Sequence, residues 1–357
     1  MGDAWEPSSN EAQNDSVSRT FMPAENLPHQ RTLTAFPNLA GCYYSEPSLK
    51  AARQEVASIA NAISEFEPVW LFSTPSEADE ARSMVNEKVQ VKEADVDNLW
   101  IRDLGPVFVR GHGSSCTTAA IDFNFNYWGG KCDPTVDPTF ARRILARDFE
   151  GISRSQAGVI SEGGALEVDG EGTLMVTDSS IINDNRNPGK SKKDIESELK
   201  RLLGVDKVIW LKGVKGLEST DWHVDAFARF ISPGHVLLSK PPPNAHPAIL
   251  EIYDAAIETL ESTTDARGRR IQVTSIDEPD QDKLPGGAVD GMVTSYVNYL
   301  LVNDGIIVAK FGEQQTDERA LELFGSLFPG RRISQVFINE LPRLGGGIHC
   351  ATQHIPV

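Results

Sequence analysis

Cys350 follows three consecutive glycines and two further residues in Gly345-Gly346-Gly347-Ile348-His349. Glycines ahead of a thiol permit close approach of the backbone to a ligand, which suits a nucleophile. A small buried cysteine near a chain end fits the same residues. His349 adjoins it, but neighbours on an extended stretch point to opposite sides, so adjacency alone does not make this ring a base for Cys350. A second group lies in STDWHVDAFARF, where His223 and Asp225 stand two positions apart. On an extended segment they share a face, putting a proton carrier beside a carboxylate ahead of an apolar strand. A hydrogen-bonded structural histidine is the alternative. Zinc is weaker chemistry here, because HExxH and paired Cys/His spacings are both missing. A third group, Asp97, Trp100, Arg102 and Asp103, occupies DVDNLWIRDLGPVFV. Arg102 and Asp103 before Gly-Pro can lock a turn, or Asp103 can face a cationic ligand. Trp100 reads as packing or pocket wall. Glu162, in SEGG, is a site carboxylate or a polar loop residue. His29, His112, His235, His246 and His354 read as structural or solvent-facing.

Short apolar strands alternating with amphipathic helices must position these groups. Ser45 can cap a helix from near Pro47, with Leu49, Ala52, Val56, Ile59, Ile63 and Phe66 inward, followed by the strand PVWLFS. Asp137-Pro138 opens a helix that buries Phe140, Ile144, Leu145 and Phe149. Ser191 caps another, with Asp194 in its first turn, Ile195, Leu199, Leu202 and Leu203 inward, and Gly204 as its stop. The pattern repeats from His246-Pro247 to about Leu260 before IQVTSI, and from Thr316 to about Phe328 before RISQVFIN. Strands LMVTD, ARFIS, HVLLSK, VNYLLVN and GIIVAK lie between. These are repeated α/β units around one core. Glycine clusters at 127–131, 161–173, 284–287 and 345–350 sit at loop edges, where catalytic groups are often presented. Neither GxGxxG nor GxxxxGK[ST] occurs, so no dinucleotide or phosphate loop is indicated.

The chain has 357 residues, enough for one large domain or two ordinary ones, and no Ser/Gly-rich linker divides it. Residues 1–20 read as a disordered tail and 21–357 as one domain. The formal net charge of -17 argues against nucleic acid and anionic membrane surfaces as partners, and mildly favours cationic substrates. Four dispersed cysteines, Cys42, Cys116, Cys132 and Cys350, suggest neither a zinc module nor a disulfide scaffold. With no apolar signal core, the expected location is cytoplasmic, with thiols free.

Taken together, the blocks MPAENLPHQRT, DNLWIRDLGPVFV, FNFNYWGGK, EGGALEVDGEGTLMVTDSSIINDNRNPG, STDWHVDAFARF, SYVNYLLVNDGIIV and GGGIHCATQ resemble the agmatine deiminase / bacterial-type peptidyl-arginine deiminase family, from about Met22 to Gln353. The resemblance implies an α/β fold of the pentein type, a five-bladed β/α propeller of pseudo-fivefold repeats around a central funnel. It places Cys350 on the nucleophile and His223 on the general acid/base. Asp103 and Asp225 fall on guanidinium-holding carboxylates, Glu162 on the EGG carboxylate and Asn298 on the SYxN asparagine. Asp97, Trp100 and Trp222 become candidates for substrate binding.

The implied chemistry needs no metal or organic cofactor. Carboxylates grip a planar guanidinium, the thiolate attacks its carbon, and histidine protonates the departing ammonia before activating water. The opening and EGG blocks are closer to the agmatine branch. The implied reaction is hydrolysis of agmatine to N-carbamoylputrescine and ammonia through a covalent thiouronium adduct, feeding polyamine synthesis. Deimination of peptidyl arginine to citrulline and a silent guanidine-binding protein are the alternatives. The implied partners are a small cationic guanidine and, as relatives commonly dimerise, a second copy of the chain. Two positions depart from the family pattern: Asn26 replaces a frequent tryptophan, and Trp222 replaces a usual glycine beside His223. The latter change could reshape the funnel or narrow substrate choice.

Overall fold

The computed structural model describes residues 20–39, 45–111, 117–133 and 135–357. The expected tail therefore lies outside the described residues except for Thr20, which pairs with Gly111 in a short antiparallel strand. Cys42, Cys116 and His112 also lie outside them.

Among the described residues the strands form five sheets, and one local unit recurs in all of them. A strand pairs antiparallel with a middle strand, and a helix then leads to a parallel partner of that middle strand. In one sheet Ala228–Ser232 pairs antiparallel with His235–Lys240, and the helix Pro247–Ser262 carries the chain to the parallel strand Gln272–Asp277. The next repeats this with Leu300–Val302, Gly305–Lys310, the helix Gln314–Leu327 and Arg332–Phe337. Glu167–Val168, Thr173–Thr177, the helix Lys192–Leu203 and Lys207–Leu211 form a third. Val107–Gly111, Thr118–Asp122, the helix Phe140–Asp148 and Ser153–Gln156 form a fourth, extended by Thr20–Phe21.

The fifth sheet joins distant parts of the chain. Thr352–Pro356 pairs antiparallel with His29–Ala35, which runs parallel to Val69–Ser73, itself parallel to Val89–Glu93. Thr34 Oγ1 also donates to the Ala351 carbonyl at 2.9 Å. This seam carries the segment around Cys350 into the interior.

Local signals explain the helices. Ser191 and Asp194 form a reciprocal capping box, and Gly204 ends that helix at φ 63°, a left-handed conformation that suits glycine. Ile195, Leu199, Leu202 and Leu203 are buried from it, each worth roughly 1.5–3 kcal/mol of apolar transfer. Ser45 precedes Glu46–Ile63, but its side chain makes no capping bond; Pro47 and the buried apolar face carry that start.

Two expectations are corrected. The buried apolar side chains form three clusters rather than one core. Interior ion pairs such as Arg102–Glu25 and Arg229–Glu25 interrupt the apolar packing. The segment VNYLLVN is a strand only over Leu300–Val302, because the Asn298 backbone bonds to Ser295 and His349 instead of a ladder. No helix among the described residues is long and apolar enough to cross a membrane.

Candidate active site

Cys350 lies in the turn just before the strand Thr352–Pro356 and is 7% exposed. Asn298 builds its surroundings. Asn298 Oδ1 accepts from the backbone nitrogens of His349 (2.9 Å) and Cys350 (3.3 Å), while Nδ2 donates to Cys350 Sγ at 3.2 Å. A Cβ on Gly347 would stand 2.6 Å from that Oδ1, so the approach requires glycine. The thiol points to Asp225 Oδ2 at 3.4 Å.

Asp103 sits on the short helical turn Ile101–Leu104, which is tied to the Cys350 turn by the Arg102 amide donating to the Cys350 carbonyl at 3.2 Å. Its Oδ2 accepts from Trp128 Nε1 at 2.8 Å and its Oδ1 from the Gly164 amide at 3.0 Å. His223 presents Nδ1 3.6 Å from Asp103 Oδ1 and Nε2 3.3 Å from Glu162 Oε2. Glu162 is itself clamped by Arg186 Nε, at 2.7 and 3.1 Å to its two oxygens.

The expectation of an extended segment from His223 to Asp225 is also corrected. His223 is extended, but Val224–Ala226 is a 3-10 turn, and Asp221 and Trp222 ahead of it have φ of 62° and 78°. Left-handed conformations of that kind cost a non-glycine residue about 1–2 kcal/mol. A glycine at 222, as the resemblance expects, would avoid that cost. Here other bonds hold the turn: Glu218 accepts from the Trp222 amide, Thr177 Oγ1 donates to the Trp222 carbonyl, and Arg186 pairs with Asp221 at 2.8 Å.

His223 Nδ1, Asp103 Oδ1 and Asp225 Oδ2 all converge on Gly164, at 2.7, 2.9 and 3.0 Å from where its Cβ would be. Electrostatics follow from this crowding. Burial, with Asp225 and Glu162 adding repulsion, pushes Asp103 up to about 6 against the pull of His223. Burial would lower His223, but Asp103 and Glu162 overcome it and raise the ring to about 9. Burial raises the Cys350 thiol well above its usual range, and Asp225 and Asp103 raise it further. Near neutrality the site therefore holds an imidazolium, a protonated thiol and a surplus of carboxylates. Asp225 Oδ1 is buried without a hydrogen-bond partner among the described residues. A planar cation could bond to that oxygen, and its charge would favour the thiolate.

A cavity of about 860 Å³ leads to Cys350, His223 and Asp225. Trp222 lines it, packed edge-on against Phe227 with ring centroids 5.9 Å apart. Glu218, Glu278, Asp280, Asp282 and Asp290 also line it, and among the described lining residues there is no lysine or arginine.

Several residues named from sequence lie elsewhere. Asp97 is not part of the cavity lining: its carboxylate accepts from Asn38 Nδ2 at 2.7 Å, and its amide donates to Asp137. Trp100 is buried with its ring under Gly346; Asp103, Glu162 and Asn298 are outside the lining too, but they stand against His223 or Cys350 directly behind it. Asn26 is exposed, with its carbonyl accepting from Arg331. The sequence reading missed Trp128, Arg186, Glu25 and His349, all within the blocks quoted above. His349 was set aside on the geometry of an extended chain. It lies in a turn and faces Asp225 at 2.8 Å. Cys132 is disulfide-bonded, against the expectation of free thiols.

A model of the family described as Porphyromonas-type peptidyl-arginine deiminase matches residues 21–356. An agmatine deiminase of Medicago truncatula is 34% identical over 366 residues, covering 94% of this chain and 96% of its own length. The solved structure of the agmatine deiminase of Enterococcus faecalis superposes with a TM-score of 0.83 at 30% identity, covering 95% of this chain and 96% of that one. The C. jejuni agmatine deiminase shares the fold, with a TM-score of 0.79 at 21% identity over 94% of this chain and 96% of that one.

Proposed function

The chain belongs to the Porphyromonas-type peptidyl-arginine deiminase family and is a guanidino-group-modifying enzyme, and from that premise we propose that it hydrolyses agmatine to N-carbamoylputrescine and ammonia. The observation that carries the choice of substrate is the acidic cavity. A substrate bearing a carboxylate, such as free arginine, would meet Glu218, Glu278, Asp280, Asp282 and Asp290 with no lysine or arginine among the described lining residues to receive it. A dication meets complementary charge along the whole path.

In the proposed reaction Asp103 and Asp225 hold the guanidinium N–H groups, and the bound cation favours loss of the Cys350 proton to solvent in the cavity, from which the thiolate regains it when the C–S bond breaks. Sγ attacks the guanidino carbon. His223, already protonated, gives its proton to the departing nitrogen, so that ammonia leaves and a cationic thiouronium adduct remains. Neutral His223 then takes a proton from water, whose oxygen attacks the same carbon. The C–S bond breaks, the ureido product forms, and the remaining proton leaves with ammonia as ammonium. Glu162, held by Arg186, keeps His223 cationic for the first step. Asn298 orients the thiol. The five sheets suit five blades around a funnel, with residues 21–357 as one catalytic domain. The product would feed cytoplasmic polyamine synthesis.

Incubation with agmatine, free arginine and arginyl peptides, reading ammonia and product mass, tests the proposal. Agmatine alone is expected to be consumed efficiently; product from peptides with none from agmatine would overturn it.

Within the cavity, Glu278 fits the distal ammonium. It is deep enough for burial to raise its carboxyl, which accepts from Ser239 Oγ at 2.7 Å. Glu278→Gln is expected to raise KM for agmatine about 10- to 100-fold, the worth of one hydrogen bond to a charged group. The variant should leave an alkylguanidine lacking the ammonium unaffected. Equal losses on both compounds would remove Glu278 from that role.

A further inference from the structure

His349 carries an arrangement that the reaction as described does not use. Its ring is buried, with Nδ1 2.8 Å from Asp225 Oδ2 and Nε2 2.9 Å from Glu25 Oε2. Each ring nitrogen thus faces a carboxylate, one belonging to the site and one behind it. Glu25 is fixed from behind by Arg229 at 2.8 Å, Arg102 at 3.3 Å and the Leu301 amide at 2.9 Å. The backbone nitrogen of His349 is held by Asn298 Oδ1, and its carbonyl accepts from Arg102 Nε.

We infer that His349 is a positioning residue for Asp225: clamped between that carboxylate and Glu25, it fixes which Asp225 oxygen is left to grip the guanidinium. The inference rests on the deiminase reading. With Oδ2 engaged by His349 and approached by the thiol, Oδ1 is the oxygen left for substrate, and it is the one without a partner among the described residues. Because His349 and Cys350 share one turn, the same backbone sets both the nucleophile and the direction of the carboxylate it must act against.

The charges around Asp225 are consistent with this. Burial would raise its carboxyl, yet the carboxyl is lowered overall, first by the hydrogen bond and charge of His349 and then by His223 and Arg102. Asp103 and Cys350 face it from the other elements of the site. Around His349 itself stand Glu25 and Asp225, with Arg102, Arg229, Glu167 and His354 behind them. Removing His349 removes the largest lowering influence on Asp225, so its carboxyl rises. Substrate capture needs Asp225 ionised as well as Asp103, whose value of about 6 sets where the acid limb of kcat/KM begins, so raising Asp225 must make the limb steeper below that pH.

His349→Leu and His349→Asn separate positioning from bulk. Asn can place Nδ2 where Nδ1 was and still donate to Asp225, whereas Leu cannot. The Leu variant is expected to lose about 100-fold in kcat/KM, the scale of a misaligned reacting group, and to show a steeper acid limb. The Asn variant should recover about tenfold of that loss and show a limb closer to the wild-type slope. An acid limb no steeper than wild type in the Leu variant, or no recovery in Asn, overturns the inference. If the Leu variant does not fold, the Asn variant decides: wild-type kcat/KM together with a wild-type acid limb overturns it.

A readout independent of turnover keeps the two readings apart. The wild-type resting enzyme should show a downfield His349 Nδ1 proton resonance that moves in Asp225→Asn. Absence of that coupling sinks the positioning role even if agmatine is hydrolysed. Its presence in a protein that deiminates nothing leaves the contact standing and sinks the function, and with it the role assigned to the contact.

Discussion

Cys350→Ser is expected to abolish turnover while leaving the protein folded and able to bind agmatine. The hydroxyl is smaller than the thiol but occupies the same place between Asn298 Nδ2 and Asp225 Oδ2. The stability change should stay within about 1 kcal/mol, because no large apolar group is removed and both polar neighbours remain served. The reaction is another matter. A serine hydroxyl among carboxylates has no adjacent neutral base, since His223 is raised to about 9 and is protonated at neutral pH. Loss of an essential nucleophile costs on the order of 10⁴-fold or more in kcat. Ammonia release measured beside calorimetric binding of agmatine checks both halves. Turnover near the wild-type rate in the serine variant would remove the thiol from the mechanism.

Gly164→Ala should have the next largest effect, and for a purely steric reason. The added methyl would stand 2.7 Å from His223 Nδ1, 2.9 Å from Asp103 Oδ1 and 3.0 Å from Asp225 Oδ2. Separations near 3 Å are shorter than carbon–heteroatom packing allows, so all three groups must move. None is a loose end: Asp103 is held by Trp128, Asp225 by His349, and His223 by Glu162. Gly164 is not among the glycines with positive φ, so alanine meets no backbone strain and the fold should survive. Overpacking of this kind costs about 1–3 kcal/mol in stability. Simultaneous misplacement of His223, Asp103 and Asp225, the groups given the acid/base and guanidinium-holding roles in the proposed reaction, should cost about 10³-fold in kcat/KM. A value within a factor of about three of wild type, at retained melting temperature, would mean that these groups do not meet at Gly164 when the reaction occurs.

The repeated units were readable because their signals are local. The box of Ser191 and Asp194, the stop at Gly204 and the apolar faces act within a few residues, and each lies where the sequence indicates. The site is different in kind. Asp103 and Gly164 are 61 positions apart, Asp225 and Cys350 are 125 apart, and the pairings that unite them are tertiary. Residue type marked Cys350, His223, Asp225, Asp103 and Glu162 as candidates, and only the family resemblance united them.

The misses follow from the same limit. Asp97 and Trp100 belong to the same motif as Asp103, but the turn over Ile101–Leu104 reorients the chain. Asp97 is left bonded to Asn38 and Trp100 stands under Gly346. Trp128 was hidden because an indole suggests packing, although its N–H serves Asp103. Arg186 and Glu25 were hidden because nothing local shows which carboxylate or cation a buried charge will meet. His349 was misjudged because alternation was applied to residues that form a turn.

The seam between Thr352–Pro356 and His29–Ala35 has a kinetic consequence. Its pairing joins positions 317 residues apart, as in the bond from Thr34 to Ala351, and contacts of such separation are slow to form because a long loop must close first. Three of the five sheets can assemble from neighbouring segments, and a fourth can but for its edge strand Thr20–Phe21, while the thiol is carried into place only when the seam zips shut. During refolding, recovery of catalysis should therefore lag behind recovery of secondary structure, making activity a reporter of the last event on the pathway.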